Sequence, residues 1–413
     1  MRRIREYAGD AASNRFVLWA AFVVVHLYLG LINIYSPLNP IGDVRFVYSG
    51  WMDQAFAANY WVGIDAPWVY PIAALVPMVA AYLLSFGGYT ASWLTLVLVV
   101  DAVALATLTG WGRRARNVRA GWYWVGFTVA VGPISSGRID AISVALAIIG
   151  VVVLAAHPIA ASVVIAFATW VKVWPVALIA ALVIGSRHRA AVIASVLGTS
   201  VGIIAITLAF GSGWNVLSFI TQQTGRGLQV EAPISTIWAW QGFAGVPNTT
   251  VYYDMTILTY QVTGNGVDVA AMVMNPILLI AVLAVAILGL VASRRRADAA
   301  VLLPLLSLAF ITALIVFNKV GSPQYVTWLV VPVMLALVTG GRARRLFRAP
   351  AVLLLIIAVL TQLIYPFFYD DVILLHAPML VILTIRNLLL IVLFAWAIAA
   401  LARLRPGPDR LPS

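Results

Sequence analysis

Apolar runs of about 20 residues, separated by short arginine clusters, constrain the fold of this 413-residue chain more than any other feature. A helix of about 20 apolar residues matches the hydrocarbon thickness of a bilayer, and cytoplasmic loops of membrane proteins are enriched in Lys and Arg. The pattern therefore predicts an all-α polytopic protein of the cell membrane. The predicted cytoplasmic clusters are Arg2–Arg5, Arg113–Arg119, Arg187–Arg189, Arg294–Arg296, Arg342–Arg348 and Arg403–Arg405.

The composition excludes several other classes of protein. The chain is 63% hydrophobic and 10% charged, with a net charge of +12. The arginines that give this charge lie mostly between apolar runs, which argues for a membrane protein rather than a nucleic-acid-binding protein. With no Cys, the chain forms no disulfide and performs no thiolate chemistry. Four His and 14 acidic residues argue against a structural metal site, so we predict no cofactor and leave a metal requirement open.

With the arginine clusters placed in the cytoplasm, we predict one integral membrane domain over residues 1–413, with about twelve crossings. Two long loops then lie outside, at 37–90 and 211–270. The apolar run 68–86 contains prolines and ends at two glycines, so we interpret it as an outer juxtamembrane helix. The alternative is an ordinary span, which would put Arg113–Arg119 outside.

Three later apolar segments are too short to be full spans: 121–133, 160–171 and 175–184. As helices they measure about 15–20 Å, against a hydrocarbon core of about 30 Å. Irregular backbone at membrane depth has to line a protein cavity or water. The sequence therefore predicts a cavity in the outer leaflet, walled by the turns at 133–140 and 172–175.

Three cations fall at the outer turns near this predicted cavity. Arg138 lies in GPISSGRID, and Lys172 and Lys319 are the only lysines of the chain. A charge at membrane depth is costly, and a lipid-linked phosphate would offset that cost, so we predict that all three bind a phosphate. The alternative is that each pairs with a carboxylate, Arg138 with Asp140, or extends to the membrane surface.

The aromatic, acidic segment 37–71 supplies the candidate reactive residue, Asp43. A sugar that leaves a phosphate needs no strong acid, but the attacking hydroxyl needs a proton acceptor, and an aspartate carboxylate can take this role. The alternative is that Asp43 only caps a helix. We interpret Asp53 and Asp65 as loop structure. His26 and Asp101, which lie within apolar runs, are expected to be satisfied interior polar groups.

An ordered set of motifs between about residues 40 and 330 carries a resemblance to a known family. GD with a Tyr five residues after the Asp, W-x-YP, GRID, VKVWP, RGLQVEAP and NKVGSPQYVTW together resemble the GT-C membrane glycosyltransferases, most of all the family 87 polyprenyl-phosphate-mannose-dependent enzymes of actinobacteria. Ile72 departs from the pattern, because many relatives have a second Pro there. The motifs contain the candidate substrate-binding residues Tyr48, Asp140, Arg226, Glu231, Gln324 and Tyr325.

The resemblance implies a GT-C fold, an extracytoplasmic Asp base and inversion at the sugar carbon. The expected reaction moves a mannosyl residue from a polyprenyl-phosphate donor to a lipid-linked or glycan acceptor. A donor with arabinofuranose or glucose remains an alternative, as do a lipid-linked-sugar transporter or flippase and a structural membrane protein. The outer loops differ in length and no repeat is visible, which favours an enzyme over a transporter built from inverted repeats.

Overall fold

The computed structural model describes residues 14–85, 87–111, 115–222 and 225–405. The predicted cytoplasmic residues Arg113 and Arg114 and the cluster Arg2–Arg5 lie outside these ranges. The chain divides into two compact units. Unit 1 comprises residues 1–176, 191–222 and 337–340, and unit 2 comprises residues 177–190, 223–336 and 341–413.

Most of the described chain is helical. Its first half forms α1 (Arg15–Tyr35), a π-helical turn (Asp43–Tyr48), α2 (Ser49–Ala58), α3 (Leu75–Leu84), α4 (Tyr89–Thr109), α5 (Ala115–Val131), α6 (Asp140–Val153), α7 (Pro158–Val171), α8 (Val176–Gly185) and α9 (Arg189–Ala209). The second half forms α10 (Ser218–Thr221), α11 (Thr236–Phe243), β1 (Val251–Asp254), β2 (Thr259–Val262), α12 (Val267–Arg294), α13 (Ala299–Val316), α14 (Val330–Thr339), α15 (Gly341–Leu346), α16 (Arg348–Gln362), α17 (Tyr369–Ile373) and α18 (Ala377–Ala402).

Within the described ranges, seven helices are long and apolar enough to cross a membrane, which agrees with a membrane-embedded protein. They are α1, α4, α9, α12, α13, α18 and α16 together with the turn that extends it to Phe367. The expected short helices at 160–171 and 175–184 are confirmed as α7 and α8. The expected limits of 121–133 are wrong, because α5 begins at Ala115. The first turns of α5 contain Arg and Ala, which have high helix propensity. They are not part of an apolar run, so the apolar pattern placed the start of the helix too late.

The run 68–86 forms a short helix, as expected. A 3₁₀ turn (Ile72–Ala74) leads into α3, and the two together are about 20 Å long. Pro77 lies in the first turn of α3, where its missing N–H breaks no helical hydrogen bond. Ser85 then adopts a φ of 47° and ends the helix. This segment is too short for a full crossing of the hydrocarbon core.

The expectation of an all-α chain needs one correction, in the loop at 211–270. β1 and β2 pair antiparallel, with Val251 opposite Val262 and Asp254 opposite Thr259. The Asp254 side chain accepts the backbone N–H of Thr256 at 2.9 Å and so closes the turn. Both strands contain Val, Tyr or Thr, which favour strands. They are only four residues long and contain no long apolar run, so the apolar pattern does not predict them.

Unit 1 is built around the pair α6 and α7 and a cluster of aromatic rings. A Cβ on Gly150 of α6 would lie 2.5 Å from the Ile165 side chain of α7, so only glycine allows this approach. The π-helical turn adds Tyr48, whose ring packs edge-on against Trp93 and Tyr70. These contacts fix the turn that begins at Asp43.

Unit 2 is built around α13, most of whose residues are buried. This helix is apolar on every side and packs against α12 and α18, as is typical of a helix that is buried all round. The turn after Lys319 is fixed by a close approach of two main chains: a Cβ on Gly321 would lie 2.3 Å from the backbone N of Ala232. The segments around Glu231 and Lys319 therefore touch through their main chains.

Candidate functional site

Asp43 is the first residue of the π-helical turn, and its carboxylate is held by an arginine. Its Oδ2 atom lies 3.0 Å from Nε of Arg138, and 40% of the side chain is exposed. The alternative that Asp43 caps the helix is wrong, because Gly42 occupies the cap position. The structure thus presents a carboxylate that is fixed on one side and accessible on the other.

Arg138 is buried and is itself fixed by backbone carbonyls. Its Nη1 donates to Pro40 O at 2.9 Å and to Gly137 O at 2.8 Å. These bonds satisfy donors of a guanidinium whose burial would otherwise be costly. The alternative that Arg138 pairs with a carboxylate, for which Asp140 was the expected partner, is confirmed for Asp43.

Lys172 and Asp140 form a second ion pair in unit 1. Lys172 follows the last turn of α7, and its Nζ lies 3.6 Å from Oδ2 of Asp140, the first residue of α6. A carboxylate at a helix N-terminus and an ammonium at a C-terminus both interact favourably with the helix dipoles. Nζ also lies 4.4 Å from the centroid of the Tyr70 ring, which is a cation–π contact.

Tyr48 links the two ion pairs. It is fully buried, and its hydroxyl accepts the backbone N–H of Ile139 and lies 3.3 Å from the hydroxyl of Tyr70. Burial, and then the neighbouring Tyr70 and Asp43, raise the pKa of Tyr48 well above its ordinary value, so the phenol stays neutral. Tyr48 was predicted to bind substrate, and the structure shows its hydroxyl bonded within the protein.

Unit 1 therefore brings together the predicted base and two of the three predicted phosphate ligands. The two carboxylates and two cations alternate along the series Asp43, Arg138, Asp140 and Lys172. Such a site can take a proton at Asp43 and hold an anion at Lys172. Lys319 belongs to unit 2.

Asp53 departs from the expectation of loop structure, because it lies on α2. Asp65, His26 and Asp101 behave as expected. Asp65 is loop structure: its Oδ2 accepts the backbone N–H of Trp61 at 2.7 Å. His26 and Asp101 are satisfied interior groups, with His26 Nε2 3.0 Å from Asp101 Oδ2 and His26 Nδ1 2.9 Å from the carbonyl of Phe22. We give none of these residues a role in the reaction.

In unit 2, Lys319 is buried close to Arg226. Burial, and then the positive charge of Arg226, lower the pKa of Lys319. The backbone carbonyl of Lys319 accepts the N–H of Gln229 at 3.0 Å. Gln324 and Tyr325 lie half-buried on the 3₁₀ helix Pro323–Leu329.

Glu231 lies at the centre of a cluster that sequence reasoning found only in part. Its side chain is buried, its Oε1 accepts the hydroxyl of Tyr369 at 2.8 Å, and its backbone carbonyl accepts Nη2 of Arg386 at 3.0 Å. Burial raises the pKa of Glu231, against the opposing effects of the Tyr369 hydrogen bond and the Arg386 charge. Arg386 had a signal in the sequence, a charge within the last apolar run. Tyr369 had none.

Within the described ranges, no three His, Asp or Glu side chains cluster in a way that could hold a metal ion. No protein-family model matches the chain, and no curated protein matches it. The assignment of a function therefore depends on the geometry of these residues.

Proposed function

We propose that this protein is an inverting GT-C glycosyltransferase with about twelve crossings and its active site on the extracytoplasmic side. It transfers a mannosyl residue from a polyprenyl-phosphate donor to a lipid-anchored or glycan acceptor. The observation that carries the proposal is the state of Asp43: a carboxylate that remains 40% exposed while a buried guanidinium holds one of its oxygens. A general base needs this combination of fixed orientation and access to a proton.

In the proposed reaction, an acceptor hydroxyl oxygen attacks the anomeric carbon of the sugar from the face opposite the phosphate. The new C–O bond forms as the bond to the phosphate oxygen breaks, and the phosphate leaves with that electron pair. Asp43 takes the hydroxyl proton. One displacement from the opposite face gives inversion, as the sequence resemblance implies.

Arg138 serves this reaction by orienting Asp43, since its own contacts lie within the protein. Lys172 supplies the point charge for the donor phosphate. Asp140 and the Tyr70 ring hold the ammonium group in place.

Asp43→Asn tests the proposal. Asn has nearly the same shape and can still accept a hydrogen bond from Arg138, but it cannot take up the acceptor proton. Turnover should fall by about 100-fold or more, the usual effect of losing a general base, while donor binding stays near wild type. Turnover is measured with purified protein, polyprenyl-phosphate mannose and a panel of membrane glycolipids. Parallel reactions with arabinofuranosyl and glucosyl donors identify the sugar.

Asp53→Asn is the matched control, because Asp53 is an exposed carboxylate in the same predicted loop. It should retain near wild-type turnover. If Asp43→Asn also keeps wild-type turnover at saturating donor and acceptor, Asp43 is not the base. Absence of transfer by the wild-type protein from all three donors would reject the enzyme class.

A further inference from the structure

Unit 2 contains a buried polar cluster that the reaction above does not use. We define the Glu231 cluster as Glu231, Tyr369 and Arg386. The residues Glu231 and Arg386 are 1% and 2% exposed. Tyr369 donates to Glu231 Oε1 at 2.8 Å, and Arg386 donates from Nη2 to the Glu231 backbone carbonyl at 3.0 Å. The cluster thus joins three segments of unit 2 through one residue, Glu231.

The hydrogen bonding of this cluster is incomplete. Among the residues that the structure describes, Glu231 Oε2 and Arg386 Nε are buried without a hydrogen-bond partner, and the neighbouring Gln229 side chain also stabilises the Glu231 carboxylate. The guanidinium makes its one hydrogen bond to a main-chain carbonyl, and the described ion pairs do not include Arg386 and Glu231. A buried charge or polar atom without a partner is costly, so such atoms normally contact a ligand or an ordered water.

The chemistry of the two unsatisfied atoms selects the kind of ligand. One is a carboxylate oxygen, which accepts, and the other is a guanidinium N–H, which donates. An anion would satisfy Arg386 but meet the charge of Glu231, and a cation would satisfy Glu231 but meet the charge of Arg386. A neutral hydroxyl can donate to the carboxylate and accept from the guanidinium at once.

We propose that the Glu231 cluster binds a hydroxyl group of a carbohydrate. Two further aromatic rings lie beside the cluster, because Tyr260 and Tyr365 both pack edge-on against Tyr369 at ring-centroid distances of 5.7 and 5.2 Å. Aromatic faces suit the apolar faces of sugar rings. The choice of a sugar, rather than another polyol, rests on the proposed function.

Glu231→Gln and Arg386→Lys test this site with little change in volume. Gln keeps an oxygen that accepts from Tyr369, so the fold is retained, but it places an amide where the carboxylate had an acceptor oxygen. Lys keeps the positive charge but not the planar donor group. The probe is octyl α-mannoside, titrated against full-length protein in lipid nanodiscs free of sugar detergents, with intrinsic tryptophan fluorescence as the signal.

Wild-type protein should bind the probe saturably, and each variant should bind about tenfold or more weakly, as expected for loss of a charge-assisted hydrogen bond. Asp371→Asn is the control, because Asp371 lies two residues from Tyr369 on α17 but is exposed and bonded to His376. It should bind like wild type. Melting temperatures, measured in parallel, show that each variant is folded.

Two results would overturn the inference: no saturable binding by the wild type, or equal binding by wild type and both variants. Either would mean that the cluster is structural and its unsatisfied atoms contact water. Asp43→Asn separates this failure from failure of the proposed function, because it should lose turnover and keep probe binding. Weaker binding by the Glu231 and Arg386 variants, with turnover intact in Asp43→Asn, would support the sugar site and reject Asp43 as the base.

Discussion

Replacing Arg138 by Lys separates two roles of this residue. The sequence predicts that Arg138 binds the donor phosphate, whereas the structure shows it bonded to Asp43 and to two backbone carbonyls. Lys keeps the positive charge that attracts a phosphate, but a single ammonium group lacks the planar fork of donors. If Arg138 orients Asp43, Arg138→Lys lowers kcat and leaves the donor Kd close to the wild-type value.

The size of the effect follows from the contacts. Arg138 Nε lies 3.0 Å from Asp43 Oδ2, and Nη1 contacts the two carbonyls at 2.9 and 2.8 Å. A hydrogen bond to a charged group contributes about 1.5–3 kcal/mol, which corresponds to roughly 10- to 100-fold in rate. Because Asp43 is 40% exposed, solvent weakens the ion pair, and we expect a value near the lower end, about tenfold.

The assay is steady-state kinetics at saturating acceptor with varied polyprenyl-phosphate mannose, together with a direct measurement of donor Kd. Arg45→Lys is the matched control: Arg45 lies in the same π-helical turn, but its Nη2 donates to the carbonyl of Ile34. Its kcat should remain within about twofold of wild type, as for a typical surface contact. An unchanged kcat in Arg138→Lys, with a tenfold weaker donor Kd, would refute the orienting role.

Three further predictions concern the charge pairs, the topology and the pH dependence of stability. Lys172→Met should weaken donor binding by about 1.5–3 kcal/mol in a Kd titration, and adding Asp140→Asn should recover melting temperature but not donor affinity. In intact cells, Ser85→Cys should react with an impermeant thiol reagent and Arg119→Cys should not, in a chain without native Cys. The pKa of Glu231 is raised by burial above its ordinary 4.5, so the melting temperature of wild type should fall relative to Glu231→Gln as the pH rises above that value.

Each of these predictions has a contradicting result. Equal donor affinity in wild type and Lys172→Met would leave Lys172 as a purely structural partner of Asp140. Labelling of Arg119→Cys from outside would favour the alternative in which 68–86 is an ordinary span. A constant difference in melting temperature between wild type and Glu231→Gln from about pH 4 to 8 would show that Glu231 ionises without cost in the folded protein.

Part of the candidate site could be predicted from residue types alone. Asp43, Arg138 and Lys172 stood out because charges are few and costly in an apolar chain. Their partners could not be predicted in the same way. Nothing near Asp43 in the sequence indicates that Arg138 will reach it, since that contact depends on where two distant segments pack.

The sequence by itself determined the properties that depend on neighbouring residues. Composition and the spacing of arginine clusters indicate a membrane-embedded protein, and the lengths of apolar runs predict most helices, including the short ones α7 and α8. The start of α5 and the strands β1 and β2 were missed, because polar helix turns and four-residue strands have no apolar run.

Only the tertiary structure decided which polar groups meet. It buried Tyr48 against Ile139 and Tyr70 in unit 1, and it brought Tyr369 and Arg386 to Glu231 in unit 2. These contacts join residues far apart in the chain, and local periodicity carries no information about them. The physical reason is that a buried charge is stable only beside a suitable partner, and the packing of whole helices determines which partner is within reach.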